Sequence, residues 1–573
     1  MDRVGSLKTL VASLLLPLIA CAPTAGPTDG AGGVSSDSAR QVPQRTLAIA
    51  VRGEPPSLAL KALVAYGRSL RGSLPLFNGT LDWLDERGVA NPYLAEAVPQ
   101  LNSDTWRVFA DGRMETTYRL KPNLTWQDGA SLSGEDFVFA WRVYSTPQLG
   151  HAASPPMRFI EEVIAPDPRT VVIRWREPFA EADLLDDTFQ ALPRHILQGP
   201  FQDLDPLAFS HLPFWSQDYV GLGPYRLERW EPGSFFEGRA FDGHALGRPR
   251  IDRVRVVFIP DPNTALANIL AGEVHYVGEF VFADDHVATL ESHWSPAEGG
   301  TVLYAPTALR VTVVQLRPEY AEPRALRDVR VRRALAHGVD AELANDVLNS
   351  GRGVITHTLT SPQVIFYREI ERVITKYQYD PRRTQLLMEE AGFARGGEGF
   401  FIGTDGAPFR VGVWSSSGAK NEQENAVIVD GLRKVGFDAS RHVFSAAQLA
   451  DAEARTLIPG LSTRGQPTES RNQYTSEQIP RPENRWRGEN RAGWENAAYD
   501  RAFEAFTRAL DPSERVRHIA EMERTFTAEL PGIPHWFNPS VTAHVGALKG
   551  PVARQTPDAG SGILRVHEWE WRS

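Results

Sequence analysis

Thr117-Tyr118-Arg119-Leu120-Lys121-Pro122, then Trp126-Gln127-Asp128-Gly129, then Glu135-Asp136-Phe137-Val138-Phe139-Ala140-Trp141 form the densest run of structural signals in this chain. Trp126, Asp128 and Gly129 read as a turn beside a strand. Further along, Gly221-Leu222-Gly223-Pro224-Tyr225 places two glycines, which permit positive φ and close backbone approach, before a proline that forbids helix ahead of the next strand. Such residues build a scaffold more than they hold a ligand.

Strands and helices alternate outward from these runs. Leu47 to Val51, Thr170 to Trp175, Val254 to Ile259 and Val311 to Leu316 are strand-length apolar or β-branched runs. Tyr225, Leu227 and Arg229 alternate with their neighbours as one face of a strand would. Asp261-Pro262, Asp380-Pro381 and Asp511-Pro512 each pair a capping aspartate with a first-turn proline. After Asp511, Val516, Ile519, Met522, Phe526 and Leu530 line one helix face until Pro531 stops it. Phe409 to Trp414, a helix near Asn425 to Lys434 and the run from Phe437 predict a β-α-β unit. The architecture is α/β.

Composition narrows the function. At ~150 residues per domain, 573 residues suggest about four domains or lobes. A net charge of −10 disfavours nucleic acid as the main partner. One cysteine excludes an intramolecular disulfide and a Cys-rich zinc site. No His-Glu-x-x-His and no close His/Asp/Glu cluster marks a metal site, so no cofactor is expected, and neither the phosphate loop of an ATPase nor the Gly-x-Ser-x-Gly elbow of a hydrolase is present.

The cysteine, Cys21, ends an N-terminal signal: Arg3 and Lys8, then the uncharged run Leu10 to Ala20, too short to span a bilayer. Leu18-Ile19-Ala20-Cys21 resembles the lipobox of bacterial lipoproteins, in which the cysteine becomes the acylated first residue. Residues 22–44 are rich in Gly, Ala, Ser, Thr and Pro and read as a flexible tether. A membrane-anchored envelope protein is expected, facing the periplasm or the exterior.

Seven blocks in order resemble the family 5 extracellular solute-binding proteins of bacterial ABC importers, which include oligopeptide-, dipeptide- and nickel-binding proteins. They are Leu76-Phe77-Asn78-Gly79-Thr80-Leu81 with Asn91-Pro92-Tyr93-Leu94; the run from Thr117 to Trp141; Gly221 to Tyr225; Ile259 to Thr264; Asp328-Val329-Arg330-Val331-Arg332-Arg333-Ala334-Leu335; Tyr379 to Pro381 with Glu390 to Phe393; and Tyr499-Asp500 with the Asp511 helix and Ile533-Pro534. The resemblance implies a two-lobed periplasmic-binding-protein fold of type II with an extra subdomain and a ligand cleft between lobes. On that template residues 45–81, 211–305 and 541–573 form lobe 1, 82–210 the extra subdomain and 306–540 lobe 2, with a last strand near Ile563 to Trp571. It also implies a monomer without catalytic activity, which closes by hinge motion on a peptide or small-molecule ligand and delivers it to an ABC permease and its ATPase.

Departures from the family put the ligand in question. Its peptide binders carry a Trp-x-x-Asp-Tyr stretch in lobe 2, whose aspartate meets the ligand's amino group. The corresponding region, Pro459 to Tyr474, lacks that aspartate and offers Arg464, Arg471, Asn472 and Tyr474 instead. With Asn78, Trp414 and Trp486 these are the candidate ligand-binding residues. Such arginines suit a ligand bearing a carboxylate; alternatively they are solvated or pair with Glu469, Glu477 and Glu483. Arg327, Arg330, Arg332 and Arg333 read as a solvated helix face. Two other ligand readings stay open on this fold, a non-peptide solute (anionic, sugar or chelated metal) and a sensor role. From another class, a secreted hydrolase would need a nucleophile and base that the sequence does not display.

Overall fold

The computed structural model describes residues 46–64, 70–282, 284–294, 299–466, 471–484, 486, 488–557 and 559–572. Cys21 and the tether lie outside the described residues. In chain order, β1 is Leu47–Val51, β2 Trp106–Val108, β3 Met114–Arg119, α1 Gly134–Tyr144, β4 Ile160–Asp167, β5 Thr170–Trp175, β6 Tyr225–Glu231, β7 Phe235–Ala240, β8 Arg253–Phe258, α2 Pro262–Leu270 and β9 Tyr276–Val277. There follow β10 Gly300–Val314, α3 Val329–Gly338, α4 Pro381–Glu390, β11 Arg410–Ser415, α5 Ala419–Lys434, β12 Asp438–Val443, β13 Leu461–Gln466, α6 Ala497–Arg508, α7 Pro512–Glu529 and β14 Gly532–Val545.

One sheet runs through the whole body in the order β12-β11-β13-β10-β14-β9-β1-β8-β7-β6. Its two longest strands, β10 and β14, are antiparallel and central, paired from Gly300 opposite Val545 to Val313 opposite Gly532. The register breaks between Pro306 and Leu309. On one side of that break β14 pairs with β9 through Ala543 and His544. On the other, β10 pairs with β13 from Leu309 to Val314. The two strands thus tie together two groups of apolar cores.

The first group joins β1, β8 and the Gly134 helix to Trp126, Trp175 and Phe189, with a smaller core of Ile259, Ile269 and Leu290 beside it. The second group holds Leu335, Met388, Phe409 and Leu432 in one core and Tyr499, Ile519, Met522 and Phe526 in another. The molecule is therefore two halves joined by a two-strand ribbon, the two-lobed arrangement expected. The strands β2-β3-β5-β4 form a separate four-stranded sheet in the first half.

The capped helices form where the sequence places them. Asp261, Asp380 and Asp511 each accept backbone N–H groups of the first helical turn. The β-α-β unit is β11-α5-β12, its strands parallel and in register from Arg410 opposite Asp438. The Trp126 turn closes on Gly129, whose φ is +94°. Gln127 locks it to the Gly221 block by donating to the carbonyls of Gly223 and Tyr225 (3.0 and 2.7 Å) and accepting from Gly221 N–H at 3.1 Å. Gly221 and Gly223 keep ordinary negative-φ or extended backbone. Close approach explains both, since a Cβ on Gly223 would stand 2.2 Å from the Asn78 nitrogen.

Three expectations change. The Val311 strand is the second part of the longer β10, whose first part is hidden in the sequence by Pro306. Around Ile563 the chain forms a 3-10 helix, Gly562–Glu568, and only Glu570–Trp571 pairs as strand, with Leu548–Lys549. Gly562 packs too tightly on the Val552 carbonyl for a side chain, and Trp569 is buried against Tyr276, so this stretch packs on the first half by side chains and close approach and not by strand pairing. Last, Arg332 is buried, not solvated: it donates to the carbonyls of Glu529 (2.6 Å) and Leu326 (3.0 Å). Arg333 donates to the Ala528 carbonyl at 2.9 Å. Both cations thus sit at the negative end of the α7 dipole, while Arg330 stays exposed and pairs with Asp328 at 2.6 Å.

Candidate ligand cavity

Between the two halves lies a cavity of about 1200 Å³, lined by both. Ligand pockets usually hold roughly 300–1,000 Å³, so there is room for a solute of several residues.

On the first half, the segment after β5 forms much of the wall. Phe179 stacks on Phe159 and Trp175, both at 5.1 Å, and seats the segment on the core. Tyr118, from the motif that opens the sequence reading, donates its hydroxyl to the Ala182 carbonyl at 2.7 Å. Buried Asp82 accepts the N–H groups of Leu185 (3.0 Å) and Asp186 (2.8 Å). Burial raises the Asp82 carboxyl to about 7. So fastened, the segment presents Glu181, Asp183, Asp186 and Asp187 to the cavity. Burial raises Asp183 to about 6 and, together with the neighbouring Asp187 charge, Asp186 to about 8. Asp187 is paired with Arg71 at 2.6 Å.

On the second half, α7 supplies Arg515 from its first turn and a 3-10 turn, Arg471–Tyr474, supplies Arg471. Both guanidinium groups lie over the Phe506 ring of α6, at 4.1 Å for Arg515 and 5.7 Å for Arg471. Arg515 also reaches across the cavity to Glu181 at 2.8 Å. The Arg471 Nε is buried with no hydrogen-bond partner. Buried Glu523, raised by burial, accepts from Leu359 N–H at 3.1 Å and the Thr360 hydroxyl at 2.5 Å, which holds the Leu359-Thr360-Ser361 wall in place.

Of the candidates read from sequence, the described cavity wall includes Arg471 alone. Asn78 is buried in the first half. Its amide donates to the carbonyls of Leu58 and Leu74, both at 2.7 Å, and its oxygen accepts from Gln190 at 2.5 Å and from the Tyr219 hydroxyl. Tyr474 donates to Gln466 at 2.7 Å and packs on Phe526. Trp414 stacks on His442 at 4.7 Å. Arg464 pairs at 2.6 Å with Glu489, not with Glu477 or Glu483, and Glu469 lies outside the described residues. Asn472 is exposed, and Trp486 sits in a turn with φ +59°. Sequence reading passed over Asp183, Asp186 and Arg515. The only signal was four acids between Glu181 and Asp187 set among Phe179, Leu184 and Leu185.

This two-lobed body with its interlobal cavity defines a class, the solute-binding proteins. The model of the bacterial extracellular solute-binding proteins, family 5 (middle part) matches residues 96–464, and the chain belongs to that family. It is 24% identical to the oligopeptide-binding protein AppA of Bacillus subtilis over 373 residues, 64% of this chain and 63% of that protein. It is likewise 24% identical to the dipeptide-binding protein of Escherichia coli over 383 residues, 63% of this chain and 66% of that protein. Among solved structures, NikZ of Campylobacter jejuni in complex with Ni(L-His) superposes with a TM-score of 0.67 at 20% identity, over 92% of this chain and 100% of that one. The ABC transporter substrate-binding protein CtaP of Listeria monocytogenes superposes with a TM-score of 0.72 at 18% identity, over 92% and 99%.

Proposed function

We propose that this chain captures peptides or a peptide-like solute for an ABC importer, held at the cell envelope by a lipid on Cys21. The observation that carries this is the cavity of about 1200 Å³ walled by both halves. A solute touching both walls favours the closed arrangement by its differential affinity, and a micromolar ligand supplies roughly 8 kcal/mol in total. The lobe limits go with this reading: 45–81, 211–305 and 541–573 for lobe 1, 82–210 for the subdomain and 306–540 for lobe 2. The register break between Pro306 and Leu309 supports a crossing near residue 305. The protein works as a monomer, performs no chemical step and hands its ligand to a permease with its ATPase. Peptide-binding names among the relatives support the solute class.

The test is native mass spectrometry of the full chain purified without denaturation, followed by a thermal-shift screen. Added masses that fragment as peptides, and a raised melting temperature with peptides, are expected. Bound sugars or metal chelates, with no peptide response, would replace the peptide reading by the non-peptide one. Metabolic labelling with a fatty acid, lost in Cys21→Ser, tests the anchor.

A further inference from the structure

The carboxylates that line the cavity are segregated to one wall, and this says which way round a ligand lies. Among the described residues, every carboxylate lining the cavity comes from the first half: Glu181, Asp183, Asp186, Asp187 and Glu279. The second half contributes no carboxylate; its charged lining residues are Arg471 and Arg515. Part of each set is paired. Asp187 holds Arg71 at 2.6 Å, Glu279 holds Arg554 at 2.7 Å, and Glu181 holds Arg515 at 2.8 Å. Arg87, the other first-half cation on the lining, sits 3.4 Å from Asp85 behind the wall. What is left is Asp183 and Asp186 on one wall and Arg471 on the other, none of them in an ion pair with a described residue.

We propose that the cavity takes a zwitterionic solute in one orientation, its cationic group against Asp183 and Asp186 of the first half and its anionic group on Arg471 of the second. This rests on the peptide-like reading above and deepens it. The raised Asp183 and Asp186 carboxyls mark a site where negative charge is poorly solvated, so an ammonium there gains from both attraction and relief of that penalty. Arg471, with its Nε unpartnered, offers the planar donor set that matches a carboxylate. Phe506 beside it gives the guanidinium a fixed apolar support. A neutral sugar would offer neither the aspartates a cation nor Arg471 an anion.

The experiment measures binding of one synthetic tripeptide mixture by calorimetry in four forms: free, N-acetylated, C-amidated and doubly capped. Loss of a buried charge-assisted contact should weaken affinity roughly tenfold to a hundredfold for each single cap. In Asp183→Asn/Asp186→Asn the N-acetyl penalty should vanish while the amide penalty stays. In Arg471→Gln the reverse should hold. Equal affinity for free and capped forms overturns the orientation but leaves the peptide reading standing. An N-acetyl penalty that survives in the aspartate variant and vanishes in Arg471→Gln means the ligand lies the other way. Failure of every form to bind overturns both proposals. The wild-type arm needs no variant to fold.

Discussion

Asn78 shows how a single residue separates scaffold from site. Both of its amide partners and both acceptor contacts are filled inside the first half. Asn78→Ala takes away the donor of the Leu58 and Leu74 carbonyls and an acceptor shared by Gln190 and Tyr219, and should cost about 1–3 kcal/mol per group left unsatisfied. Urea unfolding should show that loss with peptide affinity unchanged; intact stability with lost binding would put Asn78 in the site. Asp183 has the opposite character. Its folded carboxyl is raised to about 6, above the roughly 3.9 of an unfolded aspartate. The folded state therefore holds the proton more tightly between these values. Stability from this group is full below about pH 4, falls as pH rises toward 6 and is level beyond. Asp183→Asn removes that slope, so ligand-free melts should find the variant better placed against wild type at pH 7 than at pH 4.5. A constant difference would mean that the carboxyl titrates normally.

At the scale of elements, capped helices and the β-α-β unit were readable because capping and periodicity are local. Asp511 accepts from Glu514 N–H at 3.0 Å, as its spacing predicts. Arg332 was not readable. Its partners, the Glu529 and Leu326 carbonyls, come together only when α3 packs on the end of α7. Arg332→Met keeps the bulk and removes these bonds; stability should fall by about 1–3 kcal/mol by denaturant titration. A change within about 0.5 kcal/mol, typical of surface positions, would restore the solvated-face reading. The cavity residues were hard to find for the same reason. Tyr118 stood in the most distinctive motif, yet its task, holding the segment that carries Asp183 and Asp186, depends on a contact 64 residues away in sequence. Arg464 and Tyr474 looked like ligand contacts because their chemistry suits one. Their partners Glu489 and Gln466 satisfy them away from the cavity.

For the whole molecule, the two halves touch through more than the β10–β14 ribbon. Glu181 meets Arg515 over the cavity, and Glu291 meets Arg352 at 2.6 Å beside the ribbon. Both pairs are partly exposed, so each is worth ~0–1 kcal/mol. They bias the arrangement of the halves but do not lock it. Arg352→Ala, remote from the cavity wall, should change peptide affinity less than roughly fivefold in calorimetry. A larger change would make this pair a true latch. The most direct test of the hinged clamp is small-angle scattering of the ligand-free protein and of the same sample saturated with the free tripeptide mixture. The radius of gyration should shrink when the peptides are added and recover on dialysis. An unchanged radius with calorimetry showing the site full would contradict closure on the ligand.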